Sequence, residues 1–171
     1  MTAPVIREAV EADRPALAAL QAASWRDAYA AILPADCLAA PLAAELAILW
    51  RTRPLGPPNL VLIAETPRAA PAAFIAVLDL SSPSPLIDNL HTRPDQRSRG
   101  LGAALMAEAA RRLIAHGRTT AHLTVAEANP RARAFYARLG GTEGPVETST
   151  HGGHPMRSLR VDLDLRALAP R

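Results

Sequence analysis

Apolar and polar positions alternate from Val5 to Val10, which predicts a short first strand. Asp13, Arg14 and Pro15 then open a helix: a carboxylate sits at its start, a proline lies in its first turn, and Leu17, Leu20 and Ala23 follow. A second helix is predicted from about Ala35 and Asp36 to Trp50, carried by Leu38, Leu42, Leu46 and Leu49, with Pro41 placed to kink or split it. The cluster Pro54 to Pro58 ends that helical section. Two apolar runs, Leu60 to Ala64 and Ala72 to Leu80, are separated by a turn-forming stretch from Thr66 to Pro71 and predict a hairpin. Leu86 to Thr92 is a further strand, running into the loop Arg93 to Gly100. Leu101, Leu105, Ala109 and Leu113 recur every four residues and predict a third helix, closed by Gly117. Ala121 to Val125 reads as a strand. Asn129 and Pro130 start a fourth helix that Gly140 and Gly141 stop, and Val146 to Thr150 with Met156 to Leu165 reads as a last hairpin.

The order is therefore strand, two helices, three strands, helix, strand, helix, two strands. That describes an α+β domain with a mixed sheet, since strict strand and helix alternation is missing. The 171 residues, 49% of them hydrophobic, suit one domain over residues 1–171. All 19 basic residues are arginine and 16 acids oppose them, leaving a net charge of +3. So small a surplus, with aromatics at 4%, argues against a nucleic-acid partner despite a pI of about 9.9. The opening Met1 to Val5 has no charged segment followed by an apolar one, no apolar run is long enough to span a membrane, and Cys37 cannot form an internal disulfide. A soluble, cytoplasmic protein is expected.

The hexapeptide Arg97-Ser98-Arg99-Gly100-Leu101-Gly102 lies where a strand hands over to a helix. Free backbone amides at the helix start, the helix dipole and two arginines make this an anion site. It is not a P-loop, because the chain has no lysine, and a dinucleotide fingerprint fails at Leu105. Cys37, in the helical N-terminal third with no nearby histidine, reads as a plain thiol rather than an acyl-carrying nucleophile. His151 and His154, lacking a nearby cysteine or third ligand, read as hairpin-turn residues, so no metal is expected.

With Leu90 to Pro94 before it and Leu101 to Met106 after it, this loop resembles the acetyl-CoA signature of the GCN5-related N-acetyltransferases. A second segment, Asn129-Pro130 followed by Ala134 to Gly141, is similar to that family's later helix, and Trp25 to Tyr29 with Ile32 to Pro34 resembles one subset of its members. Gly141 stands where the family usually has phenylalanine. The resemblance implies a single domain with a central, mostly antiparallel twisted sheet of about seven strands, splayed between the fourth and fifth and flanked by about four helices. It implies acetyl-CoA as donor, without metal, and direct transfer to a primary amine of a small molecule or peptide. A catalytically inactive acyl-CoA-binding sensor is the alternative, and a homodimer is an option it leaves open.

By the same resemblance the amides of Arg97, Ser98, Arg99, Gly100, Leu101, Gly102 and Ala103 would cradle the pyrophosphate, and Leu90, His91 and Thr92 would hold the pantetheine arm. An amide near Leu90 would serve as oxyanion donor, Tyr136 would protonate the departing thiolate, and Asn129 and Arg133 would contact the cofactor. Trp25, Tyr29 and Asp88 would border the acceptor. The general base stays open among Asp88, Glu127, His91 and a chain of water; strand alternation predicts that Asp88 and His91 point to different faces.

Overall fold

The computed structural model describes residues 4–67, 69–151 and 154–169, without the side chains of 40, 69, 70 and 151. Met1 to Ala3 of the opening, Arg68 of the first hairpin turn, and Gly152 and Gly153 lie outside the described residues. A single seven-stranded sheet runs through the structure in the order β1-β2-β3-β4-β5-β7-β6. Its strands are β1 (Val5–Glu8), β2 (Leu60–Thr66), β3 (Ala69–Leu78), β4 (Leu86–Thr92), β5 (Thr120–Ala126), β6 (Thr142–His151) and β7 (His154–Asp164). All pairings are antiparallel except β4 with β5. The helices are α1 (Arg14–Ala28), α2 (Ala40–Thr52), α3 (Leu101–Ala115), α4 (Pro130–Arg138) and a one-turn α5 (Leu165–Leu168), which the sequence pattern does not announce.

Pro41 splits the expected second helix. A 3-10 turn, Ala35–Leu38, comes first, and α2 restarts with Pro41 in its first turn, where the missing N–H costs nothing. The last hairpin is longer than the apolar pattern predicts, because polar residues such as Thr142 and Glu143 pair with β7 at the sheet edge.

Two apolar layers cover the sheet. On one face, Leu101, Leu105, Met106, Ala109, Ala110 and Leu113 of α3 are buried against Leu62, Ile75, Val77, Leu123 and Val161, so the four-residue repeat is the stripe that docks the helix. Truncating fully buried Leu105 to alanine would cost about 2–5 kcal/mol. On the other face, Leu17 and Leu20 of α1 and Leu42, Leu46 and Trp50 of α2 pack on Val61, Ile63 and Phe74. Trp50 is fully buried there, and its indole N–H donates to Gln21 Oε1 at 2.7 Å.

The parallel pairing that joins the halves of the sheet is minimal. Leu86 of β4 is opposite His122 of β5, and beyond that point the strands diverge. The tips of the strands thus open a notch in the middle of the sheet, at the end where β4 runs into α3.

Candidate active site

The notch is the floor of a cleft of about 1000 Å³. Leu86 to Thr92 of β4 form one wall and Leu123 to Ala126 of β5 the other; the start of α3, one face of α4, and Trp25 and Tyr29 of α1 close the remaining sides. Arg93 donates its amide to Ala72 O on β3 at 2.9 Å. Backbone groups alternate edges along a strand, so those of Thr92 and Leu90 face the gap, where no strand pairs with them.

At the top of the cleft, α3 begins at Gly100 with φ +77°, a left-handed conformation that glycine adopts without strain. No side chain caps this helix, which leaves its first-turn amides for an outside acceptor. A Cβ on Gly100 would meet open space, so its role is conformational. Gly102 is different: a Cβ there would come within 3.3 Å of Phe135 Cζ, so this glycine lets α4 pack against α3. Below the turn, Gln96 is 3% exposed and its Oε1 is buried without a hydrogen-bond partner among the described residues. Uncapped amides and an unsatisfied acceptor at the rim fit a ligand that is anionic at one end and amide-bearing along its length.

The α1/α2 side of β4 carries a chain of hydrogen bonds. Pairing jumps from Ala76↔Asn89 to Val77↔Ile87, which leaves Asp88 as an extra, bulged residue. The bulge resets side-chain alternation, so Asp88, Asn89 and His91 reach the same side, contrary to the regular alternation expected from the sequence. His91 Nδ1 lies 3.0 Å from Ser24 Oγ and its Nε2 3.2 Å from Asn89 Oδ1; the Asn89 amide donates to Asp88 Oδ2, and Arg53 Nη1 donates to that same oxygen at 2.6 Å. This pattern gives His91 its proton on Nε2 and makes Nδ1 an acceptor for the serine hydroxyl. Burial, with the positive charge of Arg97, holds the His91 pKa down to about 4, so the ring is neutral at physiological pH.

Tyr136 lines the cleft from α4, edge-on to Phe135 with ring centroids 5.2 Å apart. Burial pushes its pKa above the ordinary phenol value, and Tyr29 adds to the shift, so the hydroxyl is protonated at neutral pH. Asn129 caps α4, its Oδ1 accepting from the Ala132 amide at 3.0 Å, and it borders the cleft as well.

A family model described as the acetyltransferase (GNAT) family matches residues 22–141, which span the notch, the α3 turn and α4. The chain belongs to the GNAT family. Among solved structures it is similar to the PaiA N-acetyltransferase of Thermoplasma acidophilum in complex with coenzyme A, at 17% identity and a TM-score of 0.79, over 95% of this chain and 99% of that one. A ribosomal-protein-alanine N-acetyltransferase of Brucella melitensis matches at 18% identity and a TM-score of 0.69, over 94% and 99%. A spermidine N-acetyltransferase chimera from Vibrio cholerae and hSSAT matches at 13% and 0.70, over 98% of each chain. At these identities the likeness is one of fold. No curated protein matches the sequence.

Within this GNAT fold the expected residues are not all in the cleft. Leu90, His91, Thr92, Arg97, Ser98, Gly100, Leu101, Gly102, Ala103, Asn129, Tyr136, Asp88, Trp25 and Tyr29 line it. Arg97 spans the cleft to pair with Asp27 of α1. Arg99 is not part of the lining, and Arg133 is turned outward into an ion pair with Glu143, its Nε 2.8 Å from Oε1. Glu127, also outside the lining, pairs with Arg157 at 2.5 Å, which holds its carboxyl below the usual range. In their place the cleft presents Arg53, Arg131 and Arg138, which the sequence reading missed. Helical phase was the available signal for α4: Arg131, Phe135 and Arg138 are spaced i, i+4, i+7 and share a face with Tyr136. At Gly141, a Cβ would approach Val161 Cγ1 to 2.7 Å and Tyr136 O to 3.0 Å, so β7 fills the space that a phenylalanine side chain would need. The fold also brings Cys37 close to His154, a proximity that their separation in sequence conceals.

Proposed function

We propose that this GNAT protein transfers the acetyl group of acetyl-CoA directly to a primary amine on a small molecule or peptide. The observation that carries this reading is the convergence of three features on one cleft: the uncapped start of α3, the unpaired edge of β4 at Leu90 and Thr92, and the half-buried phenol of Tyr136. The coenzyme A bound by the Thermoplasma PaiA protein supports the same donor here.

Acetyl-CoA supplies an activated thioester carbonyl and a thiolate leaving group. The amides at the start of α3 bind its diphosphate, with Arg131 and Arg138 adding positive charge. The backbone of Leu90 and Thr92 orients the pantetheine arm as a missing strand would, and the Leu90 amide donates to the carbonyl oxygen as negative charge develops there. Tyr136 gives its phenolic proton to the departing sulfur, a role for which its raised pKa keeps the proton in place. Arg53 and Asn89 both donate to Oδ2 of Asp88, so Oδ1 is the oxygen that receives the acceptor's ammonium; water takes one ammonium proton before attack, and the second, shed by nitrogen as the C–N bond forms, returns through water to the Tyr136 oxygen. Trp25 and Tyr29, with ring centroids 5.4 Å apart, border the acceptor.

The test is a thiol-release assay with acetyl-CoA across polyamines, aminoglycosides, amino acids and N-terminal peptides. The chain has no lysine, so it contributes no side-chain amine to the background. A productive acceptor is expected, with kcat reduced about 100-fold in Tyr136→Phe and acetyl-CoA affinity kept. Turnover equal to the parent's in that variant would remove the phenol from the mechanism. Donor binding without turnover on any amine would instead favour an acyl-CoA-binding module.

A further inference from the structure

Outside the cleft, a cavity of about 170 Å³ lies between the 3-10 turn that precedes α2 and the start of β7. Asp36, Cys37, Glu45 and His154 line it together with Pro41 and Leu42. One carboxylate oxygen of Asp36, the Cys37 sulfur and one imidazole nitrogen of His154 all lie within 4.8 Å of one another. The sulfur is 3.9 Å from Asp36 Oδ1. Around a tetrahedral zinc with bonds of about 2.0–2.3 Å, donors sit roughly 3.3–3.8 Å apart. Small side-chain rotations therefore suffice, and Asp36 is exposed while Cys37 and His154 are only half-buried, so none is locked by packing.

We propose that Asp36, Cys37 and His154 form a zinc-binding site, with water or the Glu45 carboxylate as fourth ligand. Mixed thiolate, imidazole and carboxylate donors favour zinc over calcium or magnesium, which take oxygen-only sets. The lining charges point the same way: the carboxylates of Asp36 and Glu45 both border the cavity beside the Cys37 sulfur. A divalent cation offsets their charge; the thiol proton leaves to water as the sulfur binds the metal.

The site would join two segments that also meet through a small apolar cluster. Leu33, Ala126 and Met156 form that cluster, with Tyr29, Ile32, Cys37 and Leu38 packed against it. Zinc would thus fasten the α1–α2 connection to the β6–β7 hairpin beside the acceptor end of the cleft, without touching the residues that line it.

The experiment titrates zinc chloride into the untagged, reduced full chain against a chromophoric zinc indicator. One zinc per chain at micromolar affinity is expected, with affinity reduced at least about tenfold in Cys37→Ser and in His154→Ala. Zinc should raise the unfolding midpoint of the parent and leave that of Cys37→Ser unchanged. Cobalt loading of the parent, which needs no variant, should give a thiolate-to-cobalt charge-transfer band. Absence of that band, no competition with the indicator, or unchanged affinity in both variants would overturn the site.

Discussion

The two ends of the cleft are built from different material. At the α3 end the chemistry belongs to the backbone: amides of an uncapped helix, a left-handed Gly100 and the open edge of β4. At the α1–α2 end it belongs to side chains gathered from distant segments, with Ser24 on α1, Arg53 just after α2, and Asp88, Asn89 and His91 on β4. A backbone site depends on local conformation and tolerates many sequences provided the glycines remain. A side-chain site depends on tertiary placement and can be rebuilt for a new ligand. The α3 end is thus suited to a constant ligand and the α1–α2 end to a variable one.

Substitutions at four positions test that division, in decreasing order of effect. Gly102→Glu puts a carboxylate at the α3 turn and forces Phe135 to move; donor affinity measured by calorimetry should fall by more than about 100-fold, while Gly102→Ala should show only the packing part. Undiminished affinity in the glutamate variant would show that the diphosphate sits elsewhere.

His91 sharpens the contrast from the other end. Its folded pKa of about 4 lies below the ordinary 6.5, so the unfolded chain binds more protons between those values. The stability this residue contributes is complete above pH 6.5 and is lost progressively as pH falls toward 4. Urea unfolding at pH 7 and pH 5 should show the parent losing about 2 kcal/mol more than His91→Gln. Equal losses would mean the ring is not buried as a neutral group.

Arg53→Met removes the guanidinium that holds Asp88 at 2.6 Å. The acceptor KM should change about tenfold with donor affinity unaltered, and a change in donor affinity alone would blur the division. Asn129→Ala removes the α4 cap and should cost about 1 kcal/mol of stability, read from chemical denaturation.

The α3 end of the cleft was legible in the sequence because its parts are contiguous. The loop Arg97 to Gly102, the leucine repeat of α3 and the Asn129-Pro130 helix start are each short-range patterns with one local outcome. The α1–α2 end was not. A bulge at Asp88 has no signature in the residue types around it, yet it decides which side chains share a face. The arginines fall out for a related reason: Arg99 and Arg133 are near the motifs in sequence but outside the cleft lining, Arg133 turned away by helix phase and the Glu143 carboxylate, while Arg53 arrives from the end of α2. Cys37 and His154 meet only because the α1–α2 connection packs on β7.

Among the described residues, Leu86 with His122 is the one paired position between β4 and β5. A molecule wedged into the gap beyond it would bridge both strands at once. Deuterium uptake at the amides of Leu90 and Thr92 should therefore slow as soon as the wedge is in place, before any acetyl group has moved.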